Sequence, residues 1–142
     1  MKTIRYIIIA LFTSVLLAQA NKERPISEEE MKEKSNNVAT GEVVEVRTIQ
    51  TTIRNGVEFK ETEASFKVTV PSKGVAKLGD IWILKYVQIE DPRYKGDRVP
   101  SISKGEFYLI YGRKTETNAE GKLIVYLSSG NELRKREAVP KK

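Results

Sequence analysis

The sequence contains neither cysteine nor histidine among its 142 residues. Without cysteine the chain can form no disulfide, so its stability must come from packing and hydrogen bonds. Without histidine it lacks the commonest general base and the commonest zinc ligand, and Ser–His and Cys–His nucleophilic catalysis are both excluded. The short spacing of Asp and Asn that a calcium loop needs is also missing. We therefore expect no metal and no cofactor.

The first twenty residues have the organisation of a secretory signal peptide. Lys2 and Arg5 precede an apolar run that ends near Ala18, and the small residues Ala18 and Ala20 suit signal peptidase. The alternative is an uncleaved membrane anchor, because the stretch of 17 residues ending at Ala20 is at the lower limit for spanning a bilayer. We expect cleavage after Ala20 and export of residues 21–142 to a periplasm or to the exterior.

The remaining chain is moderately basic. The signal segment contains two of the positive charges and no acidic residue, so cleavage lowers the net charge from +6 to +4. Lys and Arg are spread along the whole chain, which favours a solvated surface over a dedicated anion site. About 120 residues suit one domain with one core.

Two polar segments flank the region that we assign to the domain core. Residues 21–37 are polar, and Ser27 followed by Glu30 fits a capping box, which predicts a short helix. Residues 131–142 form a basic tail for which we expect one helical turn or a loose segment.

Residues 38–130 have the pattern of a β-domain. Gly41 interrupts a Val-rich run and indicates a bulge or bend. Asn55-Gly56 between two β-type runs predicts a tight type I′ hairpin turn. Alternating apolar residues at 64–70 predict a strand with one buried face, and further strands are predicted at Ile81–Val87, Phe107–Tyr111 and "KLIVYLSS".

The stretch "KGEFYLIYGRK" places five large apolar side chains in a row. On a strand they divide between two faces. We expect Phe107, Leu109 and Tyr111 to point into the interior, and Tyr108 and Ile110 to form a partly covered exterior.

Two of the strands, at 81–87 and 107–111, are apolar on both faces, and a single open sheet would expose one face of each. A small closed barrel avoids this exposure. The fold class that we predict is all-β: a five- to six-stranded antiparallel OB-like barrel (the oligonucleotide/oligosaccharide-binding fold) with a short N-terminal helix. An SH3-like barrel and an open sandwich are the alternatives.

Three segments in this order resemble the netrin-type module, an OB-like barrel also found in the tissue inhibitors of metalloproteinases and in small exported bacterial proteins. They are "VATGEVVEV", "FKVTVPSKGVAKLGDIWIL" and "SKGEFYLIYGRK", and together they span about residues 38–114. The resemblance implies the barrel fold.

The chain lacks the cysteines on which the structure and the inhibitory function of this family depend. Members usually carry cysteines, and in the metalloproteinase inhibitors the α-amino group and carbonyl of an N-terminal Cys chelate the zinc of the target. The expected mature N-terminus here is Asn21, and the chain has no cysteine. The zinc-chelating mechanism and its residues therefore do not transfer.

The densest group of polar residues is the segment Glu90–Ser101. Loops that join barrel strands are where OB-type folds bind ligands. We predict a partner-binding loop in which Tyr94 is an anchor, and Arg93, Lys95 and Arg98 contact an anionic or polar partner. The alternative is a solvated loop whose acidic and basic residues pair with each other.

Two other chemistries fit less well. Basic charge with Tyr and Trp is typical of single-strand nucleic-acid grooves, but export and a shortage of aromatic residues outside the core argue against nucleic acid. Glu58, Glu61 and Glu63 offer a carboxylate pair for glycoside hydrolysis, which needs an apolar pocket that raises one pKa. A solvated strand face explains these three residues better.

The sequence thus predicts an exported, non-enzymatic binding or interaction module. The expected partner is a protein or a polysaccharide of the envelope or exterior, with membrane contact only through an uncleaved signal segment. An inhibitor of a secreted or envelope hydrolase is the first alternative, and a small carboxylate-dependent hydrolase is the second.

Overall fold

The computed structural model of the protein describes residues 26–137, so the expected signal peptide and the last five residues lie outside the described residues. Within 26–137 the chain forms one short α-helix, one 3-10 turn and a single seven-stranded sheet. The elements are α1 Glu28–Lys34, β1 Asn37–Arg54, β2 Val57–Lys73, β3 Ile81–Gln88, β4 Phe107–Gly112, β5 Lys114–Thr117, β6 Leu123–Tyr126, the 3-10 turn Gly130–Glu132 and β7 Leu133–Arg136. In this part of the chain no helix has the length and apolar character needed to cross a membrane.

Helix α1 confirms the short N-terminal helix that the sequence predicts. The hydroxyl of Ser27 accepts a hydrogen bond of 3.2 Å from the backbone N–H of Glu30, which satisfies one of the free N–H groups of the first turn. Met31 is fully buried against Val38 and Tyr111. The helix therefore packs on the sheet and covers part of one face of it.

The longest part of the sheet is the β1–β2 hairpin. Asn55 and Gly56 have φ values of 50° and 78°, the two positive values that a type I′ turn requires, and Arg54 pairs with Val57 across the turn. The predicted hairpin is confirmed. Its two strands are long, so the tip extends well beyond the core.

The strands follow the order β5-β6-β3-β2-β1-β4-β7. All neighbours are antiparallel except β3 and β6, which run parallel. The predicted β-rich fold is confirmed, but the described residues form seven strands in a mixed sheet, where five or six antiparallel strands were predicted. Two short edge strands account for the difference. β5 follows β4 after one residue, and residues 133–136 form β7 against β4 in place of a loose tail.

Gly41 lies where the backbone of β1 is packed tightly against β2. A Cβ atom built on Gly41 would overlap the carbonyl oxygen of Lys67 and come within 2.8 Å of the Phe66 ring. The pairing register shifts between Thr40 and Gly41, which is the predicted bulge. The glycine thus lets the two backbones approach above the core.

The core contradicts the predicted orientation of β4. Tyr108 and Ile110 are buried in the main core together with Phe66 and Trp82, whose ring centroids are 5.7 Å apart. Tyr111 is buried on the opposite face, under α1, with Leu109 beside it, and Phe107 is half-buried. The division into two faces was predicted correctly, but the assignment of interior and exterior was wrong. Both faces of β4 are apolar because one face packs in the main core and the other is covered by helix α1.

Candidate binding cleft

The loop between β3 and β4 is held together by Arg98. Its guanidinium group donates hydrogen bonds of 2.8 Å to the carbonyl oxygen of Ile89 and 3.1 Å to that of Asp91, and a third to the carbonyl oxygen of Tyr94. One side chain therefore satisfies three backbone acceptors that no strand partner reaches. The loop is organised around this arginine.

Arg93 connects the same loop to the tip of the β1–β2 hairpin. Its guanidinium group lies 2.6 Å from the carboxylate of Asp91 and donates a hydrogen bond of 3.0 Å to the carbonyl oxygen of Gly56. Hydrogen bonds from Arg93 lower the pKa of Asp91 from 3.8 to about 2, and the same pair raises the pKa of Arg93. The ion pair is exposed, so it serves mainly to fix the geometry of the loop.

Tyr94 is an internal packing residue of the loop. Its ring meets Phe59 of β2 edge to face at 6.0 Å, and the guanidinium carbon of Arg98 lies 5.3 Å from the ring centroid. The Tyr94 hydroxyl is enclosed and has no hydrogen-bond partner among the described residues, and burial raises its pKa.

Three of the four predicted partner-binding residues therefore lie together, with their side chains engaged within the loop and the hairpin. Lys95 differs, because it is exposed and forms no ion pair or side-chain hydrogen bond within residues 26–137.

A cleft of about 460 Å³ lies between this loop and the sheet. Its charged lining consists of Glu61 and Glu63 from β2, Lys85 from β3, and Asp97 and Arg98 from the loop. The other lining residues are apolar or uncharged: Ile49, Thr62, Tyr86, Val87, Ile89, Val99, Tyr126, Leu127 and Ser128. Of the four predicted residues, Arg98 alone belongs to the lining of this cleft.

Strand pairing places three cleft residues in one row. Glu63 is opposite Lys85, and Lys85 is opposite Tyr126 across the parallel β3–β6 pair. Arg47 forms an ion pair of 3.3 Å with Glu63. The Tyr126 hydroxyl donates a hydrogen bond to the carboxylate of Glu116, which raises the pKa of Tyr126. The row thus offers an acid, a base and a half-exposed aromatic ring to a ligand.

Tyr86 lies between the cleft and the main core. Its hydroxyl is buried and lacks a hydrogen-bond partner in the described part of the chain, and burial raises its pKa to about 12. At neutral pH the group is therefore an uncharged O–H that is enclosed by the core.

The carboxylates considered from sequence separate in the structure. Glu61 and Glu63 share the cleft, as their alternation on one strand face predicts. Glu58 lies outside it and forms an ion pair of 3.5 Å with Lys60. No sequence pattern pointed to Lys85 or Tyr126, because their proximity depends on the parallel pairing of β3 with β6.

Residues 26–137 contain no group of three or more acidic side chains that could hold a metal ion. Comparison of the chain with family models, curated proteins and solved structures found no match.

Proposed function

We propose that this protein is an exported, non-enzymatic binding module built on an OB-like barrel, and that the cleft between the β3–β4 loop and strands β2 and β3 is its ligand site. The signal-peptide pattern at residues 1–20 supports export. The resemblance to the netrin-type module supports the barrel.

The order of the strands also favours a barrel. β4 lies beside β1, whereas β5 lies at the far edge of the sheet beside β6. Only Arg113 separates the end of β4 at Gly112 from the start of β5 at Lys114. Because Cα atoms two residues apart are separated by about 7.6 Å at most, this connection favours a sheet that curls towards closure.

The position of the cleft is the observation that carries the proposal. OB-type barrels bind oligonucleotides and oligosaccharides on the face formed by their second and third strands, between flanking loops. The cleft has Glu61 and Glu63 on β2, Lys85 and Val87 on β3, and a structured loop beside them. Its volume of about 460 Å³ is within the range of small-ligand sites.

The charges of the lining select between the two ligand classes. Three acidic side chains, Glu61, Glu63 and Asp97, accompany two basic ones, Lys85 and Arg98. Carboxylates in the groove would repel a phosphate backbone, whereas single-strand grooves are basic along their length. A saccharide presents uncharged hydroxyl groups that the carboxylates and Lys85 can both bond. We therefore propose an oligosaccharide of the envelope or exterior as the ligand.

Titration of the full chain with a panel of envelope and extracellular oligosaccharides tests this proposal. Lys85→Ala and Tyr126→Ala should each weaken the binding, since both residues belong to the row that faces the cleft. Glu120→Gln is the matched control, because Glu120 is exposed on the turn before β6 and outside the cleft. Binding that is equally weakened by the control, or unchanged in both cleft variants, would place the ligand elsewhere. Capture of a protein at the same residues would replace the oligosaccharide by a protein partner.

The hydrogen bonds that Arg93 and Arg98 make in the β3–β4 loop favour a second candidate function, an inhibitor of a secreted or envelope hydrolase. Arg93 bonds the loop to the hairpin tip and Arg98 bonds it to its own backbone, and such preorganisation lowers the entropy cost of binding. Lys95 projects from this loop without an internal partner in residues 26–137. Loss of hydrolase activity on addition of the protein, relieved by Lys95→Ala but not by Lys85→Ala, would support the inhibitor over the saccharide-binding module.

A further inference from the structure

The loop between β2 and β3 carries an exposed apolar tip. Val75 and Leu78 have 75% and 74% of their surface exposed, the highest values among the large apolar side chains of residues 26–137. Val70, in the last part of β2, is exposed by 48%. Apolar side chains that are grouped and exposed in this way indicate a contact surface.

The loop that holds these side chains outward is well organised. The N–H of Val75 donates a hydrogen bond of 3.1 Å to the side-chain oxygen of Asn37, and the N–H of Lys77 donates one of 2.9 Å to the carboxylate of Asp80. The N–H of Gly79 donates a third, of 2.8 Å, to the carbonyl oxygen of Val68. These bonds hold the backbone at Val75 and around Leu78. The side chains of both residues are therefore exposed as a result of the loop's hydrogen-bonded conformation.

Basic residues lie in the same loop segment and at the adjoining end of α1. Lys73 and Lys77 lie within the same segment, and the ammonium group of Lys73 donates a hydrogen bond of 2.8 Å to the carbonyl oxygen of Lys32 at the end of α1. Lys34 lies in that last helical turn and pairs with Glu30 at 3.2 Å.

Three further charges belong to this end of the molecule. Arg113 follows Gly112, whose carbonyl oxygen accepts a hydrogen bond of 3.0 Å from the N–H of Asn36. The acids are Glu33 on α1 and Asp80, whose carboxylate is bonded within the loop. An excess of positive charge beside an apolar tip favours a partner surface that is both anionic and apolar.

We infer that the tip formed by Val70, Val75 and Leu78 docks on an anionic lipid surface, with Lys73 and Lys77 beside the headgroups. The exposed aliphatic side chains of Val75 and Leu78 can insert shallowly between lipids, and the lysines complement negative headgroups. Full transfer of a Val or Leu side chain from water favours the apolar phase by roughly tenfold or more, and each lysine near an anionic surface adds about fivefold. This contact is separate from the cleft and does not depend on the ligand proposed for it.

The absence of cysteine makes a local test possible. Val75→Cys, Leu78→Cys and Ile53→Cys are each labelled with an environment-sensitive fluorophore on the full chain. Ile53 is the matched control, because it is 68% exposed and lies on the β1–β2 hairpin. Vesicles of phosphatidylglycerol and phosphatidylcholine in equal parts should shift the emission at positions 75 and 78 to the blue, with no comparable shift at 53. Equal responses at all three positions, or none at 75 and 78, would overturn the inference.

Vesicle co-sedimentation supplies the second measurement. Val75→Ser with Leu78→Ser should lower partitioning to these vesicles by about a hundredfold, and Lys77→Gln by about fivefold. Ile53→Ser should leave it unchanged. Every variant has the same N-terminal segment, so differences between variants report the loop. Undiminished binding of the double variant, equal binding to pure phosphatidylcholine, or capture of the tip by a protein without any vesicle response would each refute lipid docking.

Discussion

The guanidinium group of Arg98 donates a hydrogen bond of 2.8 Å to the carbonyl oxygen of Ile89, nine residues earlier in the chain. Ile89 is buried at the start of the β3–β4 loop, and Arg98 reaches back to it from the middle of the same loop. A residue that the sequence suggested for partner binding thus closes the loop on itself. Its remaining surface contributes to the cleft.

We expect Arg98→Ala to destabilise the protein by about 2 kcal/mol, because the carbonyl oxygens of Ile89 and Tyr94 lose this donor and that of Asp91 keeps only the N–H of Tyr94. Arg98→Lys should recover part of this loss, since an ammonium group can satisfy fewer of the three carbonyls. Lys95→Ala, on the same loop but exposed, should change the free energy of unfolding by less than about 0.5 kcal/mol. Urea unfolding measures all three variants. Equal stabilities of the Arg98→Ala and Lys95→Ala proteins would show that the arginine does not hold the loop.

Arg93 controls the titration of Asp91. The folded-state pKa of Asp91 is lowered to about 2 from 3.8, so the pair stabilises the fold above pH 3.8 and loses this effect as the pH falls towards 2. Arg93→Gln should return the Asp91 pKa towards 3.8. Carboxyl-carbon NMR shifts recorded against pH report this pKa directly. A pKa that stays near 2 in the variant would assign the shift to other groups in the loop.

Local patterns predicted what depends on neighbouring residues in the chain. The Asn55-Gly56 turn and the Ser27 cap are in this class, because turn and cap geometry require those residue types. The alternation in β4 separated Tyr108 from Tyr111, but which face was interior depended on where α1 would pack. The cleft was missed for a related reason, since the pairing of Lys85 with Tyr126 joins strands that are distant in sequence.

The close approach at Gly41 predicts a specific cost for a methyl group. Gly41→Ala would force the new Cβ against the Lys67 carbonyl and the Phe66 ring, and backbone atoms cannot move aside easily. We expect a loss of about 1–3 kcal/mol in the free energy of unfolding. Gly130→Ala is the control, because the nearest atom to its added Cβ is 3.5 Å away. Thermal or urea unfolding distinguishes the two, and a Gly41→Ala protein as stable as Gly130→Ala would contradict the close packing of β1 on β2.

We expect a Tyr→Phe substitution to have different effects on the free energy of unfolding at Tyr108 and at Tyr86. The Tyr108 hydroxyl donates a hydrogen bond of 2.8 Å to the carboxylate of Glu106, so Tyr108→Phe should cost about 1.5–3 kcal/mol. The Tyr86 hydroxyl has no partner among the described residues, so Tyr86→Phe should be neutral or stabilising.

The alkaline limb of the stability curve tests the burial of Tyr86 independently. Its pKa is raised to about 12 from 10.0 because burial disfavours the anion, so the folded state keeps its full stability below pH 10 and loses part of it as the pH rises from 10 towards 12. Tyr86→Phe should therefore reduce the fall in unfolding free energy between pH 10 and pH 12. Urea unfolding at these two pH values, together with spectroscopic titration of the tyrosines, measures the effect. An unchanged alkaline slope would mean that the pKa of Tyr86 is not raised in the folded protein, and a loss of stability at pH 7 equal to that of Tyr108→Phe would mean that its hydroxyl is hydrogen-bonded.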